Sequence, residues 1–233
     1  MLINAAEREE FRIAVVENGA LEEFYVETAA RPQLKGNIYK AVVANIEKSL
    51  GAAFVNYGGD RNGFLQVDEI HPEYYKQYFP GQEEGRRPPI NQAISRHQEL
   101  LVQVTKEGSG RKGVALTTYI SLAGRYMVIM PGSESRGISR KIESEEERAS
   151  LKELMSQLDF PAEIGYIVRT AAQGAKKRDL QGDQKYLLRL WDDIKKRAQE
   201  VKAPDLIYRE RDLALRCVRD YFTPDVKEIA VDE

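Results

Sequence analysis

Apolar and polar positions alternate with a period of two through much of the first 120 residues, the mark of half-buried strands. After a short apolar start at Met1–Ala5, Phe11–Val16 and Leu21–Glu27 read as strands on either side of Glu17-Asn18-Gly19, whose Asn-Gly step signals a hairpin turn. Arg31-Pro32 breaks the pattern. The next strands are Asn37–Ile46, rich in Ile, Val and Tyr, then Ala52–Tyr57, then Gly63-Phe64-Leu65 beyond a turn of Gly58, Gly59, Asp60, Arg61 and Asn62. Two consecutive glycines are expected to supply the positive φ of that turn. His71–Asn91 holds four Pro and two Gly with Tyr74, Tyr75, Tyr78 and Phe79, and reads as a long excursion with one helical turn around Tyr74–Tyr78. Strands resume at Leu100–Lys106 and Val114–Ile120, joined by the turn-rich Glu107–Gly113.

The period then lengthens. Met127–Met130 is a short strand before Pro131-Gly132. Ser144–Leu158 is a helix opened by a Ser144/Glu147 capping box, with Leu151, Leu154, Met155 and Leu158 on one face. Ile164–Arg169 reads as a strand. A second helix carries Leu187, Leu190, Trp191, Ile194 and Ala198 on one face and stops at Pro204. A strand at Leu206–Arg209, a short helix at about Asp212–Tyr221 and an apolar Ile229-Ala230-Val231 close the chain. The pattern predicts an α+β protein of several subdomains. The five strands between residues 35 and 120 have the count and size of a Greek-key barrel of the oligonucleotide-binding (OB) type.

Composition adds bounds. A chain of 233 residues with 42% hydrophobic and 31% charged positions fits one large domain or two to three small ones. No apolar run approaches the ~20 residues of a membrane span, and no secretory leader is visible. The single cysteine, Cys217, cannot form an internal disulfide, which points to a reducing cytoplasm. With only His71 and His97 beside it, a structural zinc site within the chain is not expected. The net charge of −2 is unevenly spread. Residues 1–34 carry 3 basic and 7 acidic side chains and residues 212–233 carry 3 and 6, whereas residues 35–125 carry 12 and 9 and residues 126–211 carry 17 and 15. A slightly basic middle between acidic ends is compatible with phosphate binding.

Two stretches could carry chemistry. The first sets Phe54, Tyr57 and Phe64 among Lys35, Lys40, Lys48 and Arg61; aromatics stack on unpaired bases while cations hold phosphates. The spacing fits equally a β-meander whose aromatics are core. In the second, a strand ends in Arg169-Thr170 and runs into small residues and Gly174. There Arg offers a bidentate fork, Thr a hydroxyl and the turn its N–H groups to an anion. On the residues alone the plainer readings are a surface ion-pair arginine and, for Lys112 in the Glu107–Gly113 loop, a solvated lysine. His71 and His97 read as structural or exposed. No phosphate-binding P-loop, nucleophile elbow or H-E-x-x-H is present.

The stretches MLINAAEREEFRIAVVENGALEEFYVE, KGNIYKAVVANIEKSLGAAFVNYGGDRNGFL, KGVALTTYISLAGRYMVIMP, GISRKIE and IVRTAAQG resemble, in order, the N-terminal half of the bacterial ribonuclease E/ribonuclease G endoribonucleases. The resemblance implies the first part of a ribonuclease H-like subdomain at 1–34, an S1-type RNA-binding OB barrel inserted at 35–118, a mixed α/β 5′-sensor subdomain at 119–211, and an incomplete return to the ribonuclease H-like part at 212–233. It implies that Phe54, Phe64 and Lys112 stack and clamp single-stranded RNA. It further implies that Gly124, Val128, Arg169 and Thr170 receive a 5′-monophosphate: Arg and Thr contact the phosphate, Gly124 allows close approach and Val128 packs on the terminal nucleotide. The family is Mg²⁺-dependent and homo-oligomeric through a Zn²⁺ link. Its catalytic aspartates, its zinc-binding cysteine pair and a second sensor arginine correspond to no position here, so no catalytic or metal residue is expected in this chain. The alternatives are a non-catalytic single-stranded RNA-binding protein and a structural module.

Overall fold

The computed structural model describes residues 1–6, 10–28, 33–76, 87–110, 112–210, 213–222 and 226–232. Arg31-Pro32, Tyr78, Phe79, Arg111 and Asp212 lie outside them. In chain order the elements are β1 (Leu2–Asn4), β2 (Glu10–Glu17), β3 (Ala20–Thr28), β4 (Ile38–Glu47), β5 (Ala52–Asn56), β6 (Gly63–Gln66), α1 (Ile90–Ala93), β7 (Glu99–Lys106), β8 (Ala115–Thr117), β9 (Leu122–Ala123), β10 (Met127–Pro131), β11 (Arg136–Ile138), α2 (Glu145–Ser156), β12 (Ile164–Val168), α3 (Lys177–Glu200), β13 (Asp205–Tyr208), α4 (Leu213–Tyr221) and β14 (Ala230–Asp232). They form two compact units: residues 1–33 with 211–233, and residues 34–210.

The first unit is a four-stranded sheet in the order β14-β1-β2-β3. The β2–β3 hairpin turns at Asn18 and Gly19, both left-handed (φ 51° and 82°), as an Asn-Gly turn requires. β14 adds to β1 in parallel, Leu2 opposite Ala230. Ile13, Leu213 and Cys217 form its buried core, with Phe11, Tyr25 and Tyr221 packed around them.

The second unit contains the predicted barrel. β4 pairs with β5, β5 with β6, β6 in parallel with β8, β8 with β7, and β7 closes on β4 through Ile38↔Gln103 to Val42↔Glu99. Closure removes the sheet edges. Inward positions Val43, Val55, Leu65, Val102 and Leu116 are almost completely buried, each worth about 1.5–3 kcal/mol of transfer free energy. Of the excursion after β6, the described residues carry a 3₁₀ turn at Pro72–Tyr74 and the one-turn helix α1.

A second sheet, β11-β12-β10-β9, follows the barrel. Met127, Ile129, Ile164 and Val168 from it are buried together with Leu151 and Met155 of α2 and with Leu180, Leu187 and Ile194 of α3. Ser144 caps α2 by accepting from the Glu147 amide at 3.3 Å. β13 follows α3 and pairs antiparallel with the start of β4, placing Asp205 opposite Lys40.

Candidate nucleic-acid interface

Alternation along β5 and β6 sorts the aromatics of the barrel. Val55 and Tyr57 point inward; Tyr57 is 6% exposed and meets Tyr39 edge-on at 5.0 Å. Burial also pushes the Tyr57 hydroxyl pKa upward. Phe54 and Phe64 point the other way, half-buried, and are direct cross-strand partners with ring centroids 5.9 Å apart. Two rings held at strand spacing on an outer barrel face form a platform on which flat groups can stack. Tyr57 therefore belongs to the core and not to the platform.

The turn that links β5 to β6 also differs from expectation. Gly58 is left-handed (φ 93°), but Gly59 has no positive φ. A Cβ on Gly59 would instead run into the Tyr57 ring. One of the anticipated cations is committed elsewhere. Lys40 donates to the Val201 carbonyl at 3.0 Å and pairs with Glu99 at 3.1 Å. Lys35, Lys48 and Arg61 are exposed. The Arg61 guanidinium donates to the Gly110 carbonyl at 2.6 Å and so ties the β5–β6 turn to the β7–β8 loop. Lys112 is exposed in that loop, which the Phe64 amide meets through the Val114 carbonyl at 2.8 Å. Phe54 and Phe64 are thus adjacent, and Lys112 lies two residues before the carbonyl that the Phe64 amide meets.

The second constellation lies where β9, β10 and β12 meet. Val128 is opposite both Ala123 and Ile167. Ile167 is 41% exposed, so an apolar surface flanks the strand end. Arg169 follows β12 directly: its amide donates to the Tyr126 carbonyl at 2.8 Å and its guanidinium to the Gly124 carbonyl at 2.7 Å. Thr170 is exposed beside it and opens a 3₁₀ turn. Gly124, Val128, Arg169 and Thr170 are therefore neighbours, although 45 residues separate Gly124 from Arg169. An acid missing from the sequence reading is also there. Asp183 of α3 accepts from the amides of Arg125, Tyr126 and Met127. It was legible as a carboxylate three residues after Leu180 and four before Leu187, on the apolar stripe of an amphipathic helix. Among the described residues no group of three or more His, Cys, Asp or Glu could hold a metal ion, and no helix is long and apolar enough to cross a membrane.

The closed five-stranded barrel is the fold of the S1 class, and residues 33–118 match the S1 RNA binding domain. Residues 121–233 match the Ribonuclease E/G family, and the chain belongs to that family. It is 46% identical over 233 residues to ribonuclease E of Haemophilus influenzae and 44% identical to that of Escherichia coli K12. All of this chain is covered in both, against 24% and 22% of theirs. To ribonuclease G of Salmonella typhimurium it is 36% identical over 232 residues, 47% of that protein. The chain thus spans about a quarter of the first relatives and about half of the last. A chain in the crystal structure of the a/eIF2alpha-aDim2p-rRNA complex from Pyrococcus horikoshii OT3 matches 54% of this chain and 54% of its own length at 15% identity, with a TM-score of 0.26.

Proposed function

We propose that this chain is the RNA-binding and 5′-monophosphate-sensing portion of an RNase E/G-type endoribonuclease that cleaves single-stranded RNA in RNA processing and decay. The observation that carries the reading is the Phe54–Phe64 pair on the outer face of a barrel that matches the S1 RNA binding domain. In this reading bases stack on the two rings and Lys112 holds the backbone between them. The 5′ end reaches Arg169 and Thr170, which offer a guanidinium and a hydroxyl to a terminal phosphate, while Val128 packs on the first nucleotide. The proposed division is a ribonuclease H-like subdomain in two parts at 1–34 and 212–233, around the barrel at 35–118 and a sensor at 119–211.

By family resemblance Mg²⁺ chemistry and a Zn²⁺ subunit link are expected of the full-length enzyme, and the role proposed for this chain is binding. The test compares single-stranded RNA bearing a 5′-monophosphate with the same RNA bearing a 5′-hydroxyl. The monophosphate form is expected to bind more tightly, and Arg169→Ala is expected to abolish the difference. Equal affinity for the two forms overturns the sensing role; failure to bind either, at low salt, overturns the RNA-binding role. Cleavage by purified chain with Mg²⁺ would overturn the binding-only assignment.

A further inference from the structure

We infer that Asp183 is a positioning residue for the anion site at Arg169, an inference that rests on the sensing role proposed above. Three consecutive backbone amides, those of Arg125, Tyr126 and Met127, donate to its carboxylate at 3.0, 2.8 and 3.1 Å. Consecutive N–H groups converging on one point form a concavity that suits an anion. Here the protein's own carboxylate fills it, from α3, 56 or more residues away in the chain. The bonds are charge-assisted and fix the peptide planes of the turn. That turn also closes on itself, since the Gly124 amide donates to the Met127 carbonyl at 2.8 Å.

The clamped turn is what holds Arg169. The carbonyls of Gly124 and Tyr126, which accept from Arg169, come from the segment that Asp183 grips. One of these bonds fixes the backbone at the root of the arginine and the other fixes its guanidinium. Arg169 is thereby set beside Thr170 before any ligand arrives. The same contact explains Gly124. A Cβ there would collide with both carboxylate oxygens of Asp183, so the close approach that this glycine permits is to Asp183. Filling the amide concavity has a second effect. A phosphate arriving at this corner finds the three amides already paired and the arginine–threonine pair still presented to it. The carboxylate's charge, which would otherwise repel the phosphate, is offset by the three N–H dipoles.

The test measures the ratio of affinities for 5′-monophosphate and 5′-hydroxyl RNA in the wild type, Arg169→Ala, Asp183→Asn and Gly124→Ala, with a melting curve for each. Asp183→Asn keeps the size of the side chain but loses charge and at least one acceptor. It is expected to lower the ratio roughly ten-fold, the order expected for one charge-assisted hydrogen bond, and to leave 5′-hydroxyl RNA, held by the barrel, unaffected. Gly124→Ala keeps the acid but displaces it, and is expected to act in the same direction. Combined with Asp183→Ala, which removes the collision, it should cost nothing beyond Asp183→Ala alone. A merely structural acid would lower the melting temperature and leave the ratio intact. A ratio that falls in Arg169→Ala yet survives in folded Asp183→Asn or Gly124→Ala overturns this inference alone. A wild type with no preference, or a preference that survives Arg169→Ala, overturns the sensing role and this inference with it.

Discussion

Phe54 and Tyr57 lie three residues apart on one strand and its exit, yet opposite parity gives them opposite fates. Phe64→Ala and Phe54→Ala each remove half of an outer pair, and each is expected to weaken single-stranded RNA binding by about 1–3 kcal/mol, the worth of one stacked base. Both variants should melt close to the wild type, because the rings are only half-buried. Tyr57→Ala should do the reverse. It empties the contact with Tyr39 and is expected to cost about 3–5 kcal/mol in a denaturant titration, as large aromatic truncations in cores do. RNA binding by the fraction that remains folded should be retained. An equal binding defect in all three would return Tyr57 to the platform. The distinction was available from counting by twos: Phe54 is out of phase with Val55 and Tyr57. Grouping the three as aromatics among cations concealed it.

Long elements with a strong period were legible before the structure, and short ones were not. β2, β3, β4, β7, α2 and the apolar face of α3 fall where alternation or a 3.6-residue stripe places them. β9 has two residues and β11 has three, too few to show any period. Their pairing is set by the neighbouring β10 and β12. The return of β13 to β4 is a partnership across more than 160 residues, which no local pattern encodes. The Arg169 site is legible in part for the same reason. Arg and Thr at a strand end are visible as types, but Gly124 and Asp183 reach them only through the tertiary fold. One position in α3 remains unexplained by packing. Gly182 lies within the helix, and a Cβ there would meet nothing within 4 Å. Gly182→Ala is therefore expected to raise stability by about 0.5–1 kcal/mol through helix propensity alone. Thermal melts of the two proteins check this, and a loss of stability would mean that the glycine backbone is needed.

Net charge understates what the molecule can do with phosphates, because cations and carboxylates are sorted along the chain. Lys40 is spent on Glu99 and on a carbonyl, whereas Lys112, Lys35 and Lys48 are among the exposed cations of the barrel. Lys112→Ala should reduce the salt slope of RNA binding by about 0.7, the loss of one single-strand contact. A slope unchanged by this substitution would remove Lys112 from the RNA path. The barrel's own stability is linked to a different proton. Tyr74 packs against the barrel core, accepts from the Leu101 amide at 3.3 Å, and has its hydroxyl pKa pushed by burial from an ordinary 10.0 to about 12. The folded state therefore binds this proton more tightly than the unfolded chain. A raised pKa gives stability that is complete below pH 10.0 and is lost as pH climbs towards about 12. Denaturant titrations of the wild type and Tyr74→Phe across that window isolate the effect from every other group that titrates there. Below it the wild type is expected to be the more stable, by about 1 kcal/mol for the hydrogen bond to Leu101. Through it the gap should close, since phenylalanine has no proton to lose. A gap that stays constant to pH 12 would mean that Tyr74 reaches water in the folded protein and that the packing of the Pro72–Tyr74 turn on the barrel is looser than the structure describes.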